Sequence, residues 1–408
     1  MKTTLATPAA TTLVVPVLAG ISVSHLLNDT MQSVIPALFP ILEQTMHLSY
    51  SQLGLIAFAN NITASLLQPL IGWYTDRKPL PFLLPLGMFC TLLGMGVLAF
   101  APNLTWVIGA VMLVGLGSAV FHPEGSRLVI SSAGTRPGLA QSIFQVGGNS
   151  GQALAPLLTL LFFARQGQAG AVWFVGLAAL AMLILYQLAR WHRGHLERQA
   201  LHGTADGVRT SSAPRGAVGL ALGVILLITF ARSWYVAGIT NFYALFQIKT
   251  FGASLSAAQT HVFVFLVAGA LGTLVGGGLA DRFGKKKMLI FSSAACAPFS
   301  WLLTFSPEPW TYVLLAVTGF SILTGFSVAL IYTLELMPGK TGTVSGLLFG
   351  LAFGLGAVGS MVLGWLGDRI GLPDMLMLCS LIPLIGLLAF ALPPDDKVRA
   401  WIRPPEAS

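Results

Sequence analysis

"GGLADRFGKKK", residues 277–287, places paired glycines, an acid, an arginine and three lysines between two apolar runs, 255–280 and 288–306. Each flank is about the ~20 residues that a helix needs to cross the hydrocarbon of a bilayer. A glycine at 277 permits close helix approach, Asp281 is expected to cap a helix N-terminus, and the lysines should hold the loop on the cytoplasmic side. The segment therefore reads as a tight turn between two membrane spans.

Outward from it, the pattern repeats along the whole chain. Apolar runs fall at 14–42, 50–74, 82–101, 105–130, 139–165, 169–190, 217–248, 255–280, 288–306, 309–336, 344–368 and 373–392. Their connections are short except for "WHRGHLERQALHGTADGVRTSSAPRG", 191–216, which is polar, basic and turn-rich. The expected organisation is six spans in 1–190, a cytoplasmic central loop at 191–216, and six spans in 217–408 with a short cytoplasmic tail. "PALFPI" at 36–41 reappears as "YALFQI" at 243–248, and Ser49 and Gln52 match Ser256 and Gln259 at the same offset of 207. Repeated halves around a midplane site are how many secondary transporters are built. The fold expected is an all-α membrane protein, twelve transmembrane helices in two pseudo-symmetric six-helix bundles.

Composition agrees. Of 408 residues, 55% are hydrophobic and 9% charged, where a soluble domain carries about 25% charged residues. Mean hydropathy is +0.80. The net charge of +8 is explained by its distribution, so no nucleic-acid partner is expected. With the N-terminus inside, seventeen of the twenty-two lysines and arginines are cytoplasmic, three (Arg165, Lys249, Arg369) are outside, and Arg127 and Arg232 fall within spans. Cys90, Cys296 and Cys379 sit in separate apolar runs and imply no disulfide framework. The first apolar run lacks a small-residue cleavage site and reads as a span, not a removable signal.

The 277–287 segment resembles the G-x-x-x-D-R-x-G-R/K-R/K signature of the major facilitator superfamily. The corresponding loop after the second span, "GWYTDRKPLP", keeps Gly72, Asp76 and Arg77 but lacks the later glycine and basic cluster. "SHLLNDTMQS" (24–33), "FHPEGSR" (121–127), "GLAQSIFQVGGN" (138–149) and "LIYTLELMPGKTGTVSGLLFG" (330–350) are similar to the fosmidomycin resistance protein family. That resemblance implies drug efflux driven by proton entry, with a small phosphonate antibiotic as the namesake substrate. Gating roles follow for Asp76, Arg77, Arg127, Gly277, Asp281, Arg282 and Glu335. The multi-pass chain is expected in a bacterial inner membrane with both termini cytoplasmic, functional as a monomer.

Charges inside spans are costly and normally face protein or a watery cavity. His25 and Asp29 share a helix face at i, i+4, with Asn28 and Gln32 beside them. At 1.5 Å per residue, Glu124 lies roughly 10 Å inside the cytoplasmic end of its span and His25 about 16 Å in from the same side. His122 and Glu124 then meet His25 at similar depth if the first and fourth spans adjoin. Asp29, Glu124, His25 and His122 are the candidate proton-coupling groups. Two bland readings stand beside this: a Glu124–Arg127 salt bridge at i, i+3, and Asp29 as a hydrogen-bonded structural acid. Under the 207 offset Arg232 is the repeat partner of His25, and the two are expected to face each other. Arg232, Tyr235, Asn28, Gln32, Asn61, Gln145, Asn149 and Asn241 are the candidate substrate contacts, interhelical hydrogen bonding being the alternative for Asn61, Gln145 and Asn149. Gly147 and Gly151 suit tight helix packing in the fifth span.

Enzyme chemistry is not expected. Gly354, Gly356 and Gly359 spell G-x-G-x-x-G in mid-span instead of after a strand, and Gly339-Lys340-Thr341 lacks the glycine a phosphate loop needs at 334. No cofactor or resident metal is expected; the partners are a small-molecule substrate, protons and the lipid bilayer. Proton-coupled uptake of a small organic anion is the nearest rival to export. A non-transporting membrane sensor or scaffold is the rival from another class.

Overall fold

The computed structural model describes residues 13–134, 137–200, 210–211, 214–306, 308–337 and 341–403. Helices are α1 (Val15–Ala37), α2 (Phe39–Met46), α3 (Tyr50–Arg77), α4 (Leu83–Ala99), α5 (Leu104–Ser132), α6 (Pro137–Gln166) and α7 (Val172–Ala200). They continue as α8 (Arg215–Phe251), α9 (Leu255–Phe283), α10 (Lys285–Leu303), α11 (Trp310–Leu336), α12 (Thr341–Ile370), α13 (Leu372–Leu381) and α14 (Asp395–Ala400). A 3-10 segment, Ile382–Ala391, prolongs α13. Omitting the short α2 and α14 leaves twelve rods, matching the twelve apolar runs. Seven helical stretches among the described residues are long and apolar enough to cross a membrane. Large apolar side chains such as Leu66, Leu70, Trp73, Leu161, Leu183 and Leu274 are exposed around the perimeter. A surface of that kind belongs in lipid.

Three boundaries differ from the sequence expectation. The run 14–42 is broken at Leu38, because Pro40 has no N–H to give the carbonyl of Pro36 and its ring crowds that carbonyl. The chain resumes as α2 and turns at His47, whose φ of 52° is left-handed. Ser49 and Gln52 then start α3 with a reciprocal capping box: Gln52 N–H donates to Ser49 Oγ and Ser49 N–H to Gln52 Oε1. At the other boundary, residues 191–200 of the expected loop continue α7 as helix, with Arg193 and Glu197 paired 3.3 Å apart on one face. A two-residue antiparallel pairing of Thr210–Ser211 with Ile402–Arg403 ties the remainder to the tail. The run 373–392 is α-helix only to Leu381 before tightening.

Asp281 does not cap a helix. It is exposed at the end of α9, and α10 begins one residue after Gly284, whose φ of 95° makes the turn. The free N–H groups of Lys285 and Lys286 donate instead to the carboxylate of Asp395 in α14, at 3.1 and 3.3 Å. The lysines also do more than stay in solvent. Lys285 is buried and pairs with Glu335 of α11 at 3.0 Å, and Lys286 Nζ donates to the carbonyls of Phe390 and Leu392. The motif thus gathers α9, α10, α11 and the tail at one end of the bundle, the lysine-bearing end.

Within the first half α1 packs along α6, and in the second α9 packs along α11. A Cβ at Gly147 or Gly151 would strike the carbonyls of Ser22 or Leu26, so α1 and α6 approach this closely only because both positions are glycine. The halves meet through α3 with α12 and α6 with α9. At the end opposite the lysines they are stitched by polar contacts. Asp368, ending α12, accepts from the backbone N–H groups of Tyr50 and Ser51 at the start of α3, both at 2.8 Å. Lys249 pairs with Glu43 at 2.9 Å, and Gln259 Nε2 donates to the carbonyl of Ala37.

Candidate functional site

The α1–α5 contact brings together the ionisable residues that the sequence scatters over a hundred positions. Asp29 is buried, with His25 Nε2 at 3.5 Å and His122 Nε2 at 3.9 Å from its Oδ1. Asn28 Nδ2 donates to the same oxygen at 3.0 Å, and Gln152 Nε2 of α6 donates to Oδ2 at 2.9 Å. His25 is held on three sides. Its ring stacks on Phe144 with centroids 4.0 Å apart and leans on Phe121 at 5.5 Å. Its Nδ1 lies 2.7 Å from the carbonyl of Phe144. A carbonyl only accepts, so Nδ1 carries a hydrogen and Nε2 is turned toward Asp29. Two nitrogens and one carboxylate therefore converge on a point where a proton has a partner on every side.

Helix α5 runs on through Pro123. Two residues beyond His122, buried Glu124 takes a hydrogen bond from Arg127 Nη1 at 2.6 Å. The salt-bridge reading of that pair is the arrangement present. The described contact of Glu124 is this pair with Arg127, while His122 is the α5 residue that reaches Asp29.

Gly148 completes the site and is a residue that sequence reasoning missed. A Cβ there would lie 2.5 Å from His25 Nε2 and 2.9 Å from Asp29 Oδ2. Its signal, a glycine doublet at 147–148 opposite a polar helix, is indistinguishable in sequence from plain helix packing.

Arg232 does not face His25. Its guanidinium turns into its own half, 4.6 Å above the ring of Phe326, and lines a recess with Ser292, Ser293, Ile322 and Gly325. The offset of 207 places the residue on the equivalent helix but does not fix its side-chain direction. Arg232 is buried, its Nη1 has no hydrogen-bond partner, and it makes no ion pair among the described residues. Ser292 and Ser293 are residues that sequence reasoning missed.

The remaining candidates divide. Asn61, Gln145 and Asn149 are half-buried and make no hydrogen bond among the described residues. Gln32 donates to the Val114 carbonyl at 2.9 Å, and Asn241 to Ser360 Oγ at 2.7 Å, both linking helices. Tyr235 is buried in its own half, edge-on to Phe265. Among the gating candidates, Arg77 folds back on Trp73, 4.2 Å above its ring, and Arg282 rests over Phe283. Gly277 makes ordinary contact with Ile331, Glu335 pairs with Lys285, and the side chain of Asp76 lies outside the described residues.

Twelve helical rods with a buried polar cluster between α1, α5 and α6 suit a membrane transporter, and the chain belongs to the Major Facilitator Superfamily, whose pattern matches residues 21–357. It is 47% identical over 391 residues, 96% of each chain, to the uncharacterized MFS-type transporter YfnC of Bacillus subtilis (strain 168). It is 41% identical over 377 residues, 92% of each chain, to the fosmidomycin resistance protein of Escherichia coli (strain K12). The fold is that of a bacterial homolog of the human lysosomal transporter Spinster, with TM-score 0.73, 16% identity, and coverage of 94% of this chain and 97% of that one. The protein is a multi-pass membrane transporter and not an enzyme.

Proposed function

We propose that this transporter is a drug/proton antiporter that exports small anionic antibiotics of the fosmidomycin kind. The observation that carries the reading is the buried His25–Asp29–His122 cluster, three titratable groups in mutual contact inside the helix bundle. A proton taken by the cluster is shared between His25 Nε2, His122 Nε2 and Asp29, and its arrival or loss changes the net charge of a site walled by phenylalanine. The Glu124–Arg127 pair acts in this scheme as a latch toward the lysine-bearing end, so Glu124 contributes to gating more than to proton uptake.

Anion preference rests on Arg232. A buried charge without a partner costs several kcal/mol, of which a cation–π contact offsets only ~2. A visiting carboxylate or phosphonate restores the balance, with the hydroxyls of Ser292 and Ser293 lining the same recess. Export as the direction is supported by the identity to the fosmidomycin resistance protein.

The seventeen-to-three bias of basic residues supports a bacterial inner-membrane protein with both termini cytoplasmic. In this reading residues 1–190 and 217–408 are the bodies that rock, 191–216 joins them in the cytoplasm, and one copy suffices.

The test is transport in proteoliposomes loaded with a pH dye. Fosmidomycin added on the substrate side should produce a proton pulse in wild type, and Asp29→Asn should abolish it while migrating as a folded monomer. Proton-driven flux at the wild-type rate in Asp29→Asn refutes the coupling role. Protons moving with the drug instead of against it establish uptake.

A further inference from the structure

We propose that His25, Asp29 and His122 also form a binding site for one divalent transition-metal ion, Zn2+ in kind, and that its occupancy arrests the carrier. The metal here is an inhibitor and not a cofactor. One ligand atom from each residue lies within 4.8 Å of the other two. Around a tetrahedral Zn2+, bonds of ~2.0–2.1 Å put neighbouring ligands roughly 3.4 Å apart. The two contacts to Asp29 Oδ1, 3.5 Å from His25 and 3.9 Å from His122, need to shorten by no more than about half an ångström to reach that figure, and the two imidazoles, whose ligand atoms lie within 4.8 Å, close on each other by a rotation of the more exposed His122 side chain.

The surroundings are those that orient metal ligands. His25 gives its Nδ1 hydrogen to the Phe144 carbonyl at 2.7 Å, which fixes the ring and leaves Nε2 as the ligating atom. Gln152 holds the other oxygen of Asp29 at 2.9 Å, leaving Oδ1 toward the imidazoles. Two imidazoles and one carboxylate suit Zn2+, Co2+ or Ni2+ and are a poor set for Ca2+ or Mg2+. Entry is by His122, whose side chain is 20% exposed while those of His25 and Asp29 are 3% and 6%. Three protein ligands leave a fourth position for water.

The ion uses the same lone pairs that would accept the transported proton. Metal and proton therefore exclude one another, and the arrest rests on the coupling role proposed above, whereas the binding does not.

The experiment is a Co2+ titration of the purified, tag-free protein in detergent, followed by its visible d–d absorption, with Zn2+ as competitor. One equivalent should bind saturably and be displaced by Zn2+. His122→Ala should weaken that binding at least tenfold with an unchanged elution profile. Asp29→Asn should do the same, giving a second route if either variant fails to fold. His192 and His195 are the other close imidazole pair, on α7 near the lysine-bearing end, and the double alanine variant should retain the equivalent in full. Binding unaffected in both His122→Ala and Asp29→Asn, or lost in the His192/His195 variant, overturns the site. In proteoliposomes Zn2+ should stop wild-type transport. Co2+ bound as expected with transport untouched by Zn2+ overturns the arrest and the coupling role together, but not the metal site.

Discussion

Removing the carboxylate of Asp368 should open the end of the transporter opposite the lysines. Asp368 ends α12 and accepts two backbone hydrogen bonds at 2.8 Å from the first turn of α3, so it reaches from one half to the other. Each such bond is worth about 0.5–1.5 kcal/mol net, and a negative charge at a helix N-terminus adds about 0.3–1 kcal/mol. Asp368 is exposed, which argues for the lower part of both ranges. The total is about 1.5–2 kcal/mol, and 1.4 kcal/mol is about tenfold in an equilibrium constant. Asp368→Ala should thus shift the open-to-closed ratio at that end by roughly ten- to thirtyfold. Asp368→Asn keeps a neutral acceptor and should shift it by only about threefold to fivefold. The ratio can be read by electron–electron spin distances between labels at Phe100→Cys and Phe305→Cys, exposed sites at that end in opposite halves, in a background without Cys90, Cys296 and Cys379. A distance distribution that moves by less than twofold in population in a folded Asp368→Ala protein would refute the latch.

Other changes have equally definite outcomes. Gly148→Ala drives a methyl against His25 and Asp29 and should abolish proton-driven transport at a cost of about 1–3 kcal/mol in stability, measured by thermal unfolding in detergent. Wild-type transport from a folded Gly148→Ala protein would show that the cluster tolerates displacement. Arg232→Ala should remove anion binding, while Arg232→Lys keeps the charge without the planar fork and should weaken it only partly. If Arg232→Ala combined with Asp29→Asn regains anion transport that each single change destroys, the arginine balances charge and does not touch substrate. Asp395→Ala removes the cap of α10 and should lower stability by about 1 kcal/mol, read as a fall in Tm, with transport by the surviving folded fraction unchanged.

The architecture was legible because lipid imposes a simple rule: long apolar stretches separated by charge, with the basic residues sorted to one side. The His25–Asp29–His122 meeting was legible for the same reason, since ionisable groups at one depth in spans one and four have few places to go but toward each other. Side-chain direction was not. His25 and Arg232 occupy repeat-related positions, yet one stacks on Phe144 near Asp29 while the other lies over Phe326 in its own half. Rotation of a helix about its axis depends on which neighbours supply small residues, and a 207-residue offset carries no such information. Asp281 failed as a cap because Asp395, far away in sequence, reaches the same N–H groups. Local motif reading weighs only nearby candidates. The extension of α7 past the membrane was hidden because polar residues at helical spacing look the same in a loop as on a solvated helix.

The cap on α10 has a consequence for how the chain is made. The N–H groups at residues 285 and 286 wait for a carboxylate 110 and 109 positions downstream. At ~5–20 residues per second of synthesis, the first turn of α10 stays uncapped for roughly 5–20 s after it emerges. Lys286 likewise has to wait for the carbonyls of Phe390 and Leu392. The signature turn, among the most recognisable parts of the sequence, is therefore among the last to be finished at the ribosome. A chain interrupted before residue 395 would carry the motif intact while its helix began with bare N–H groups.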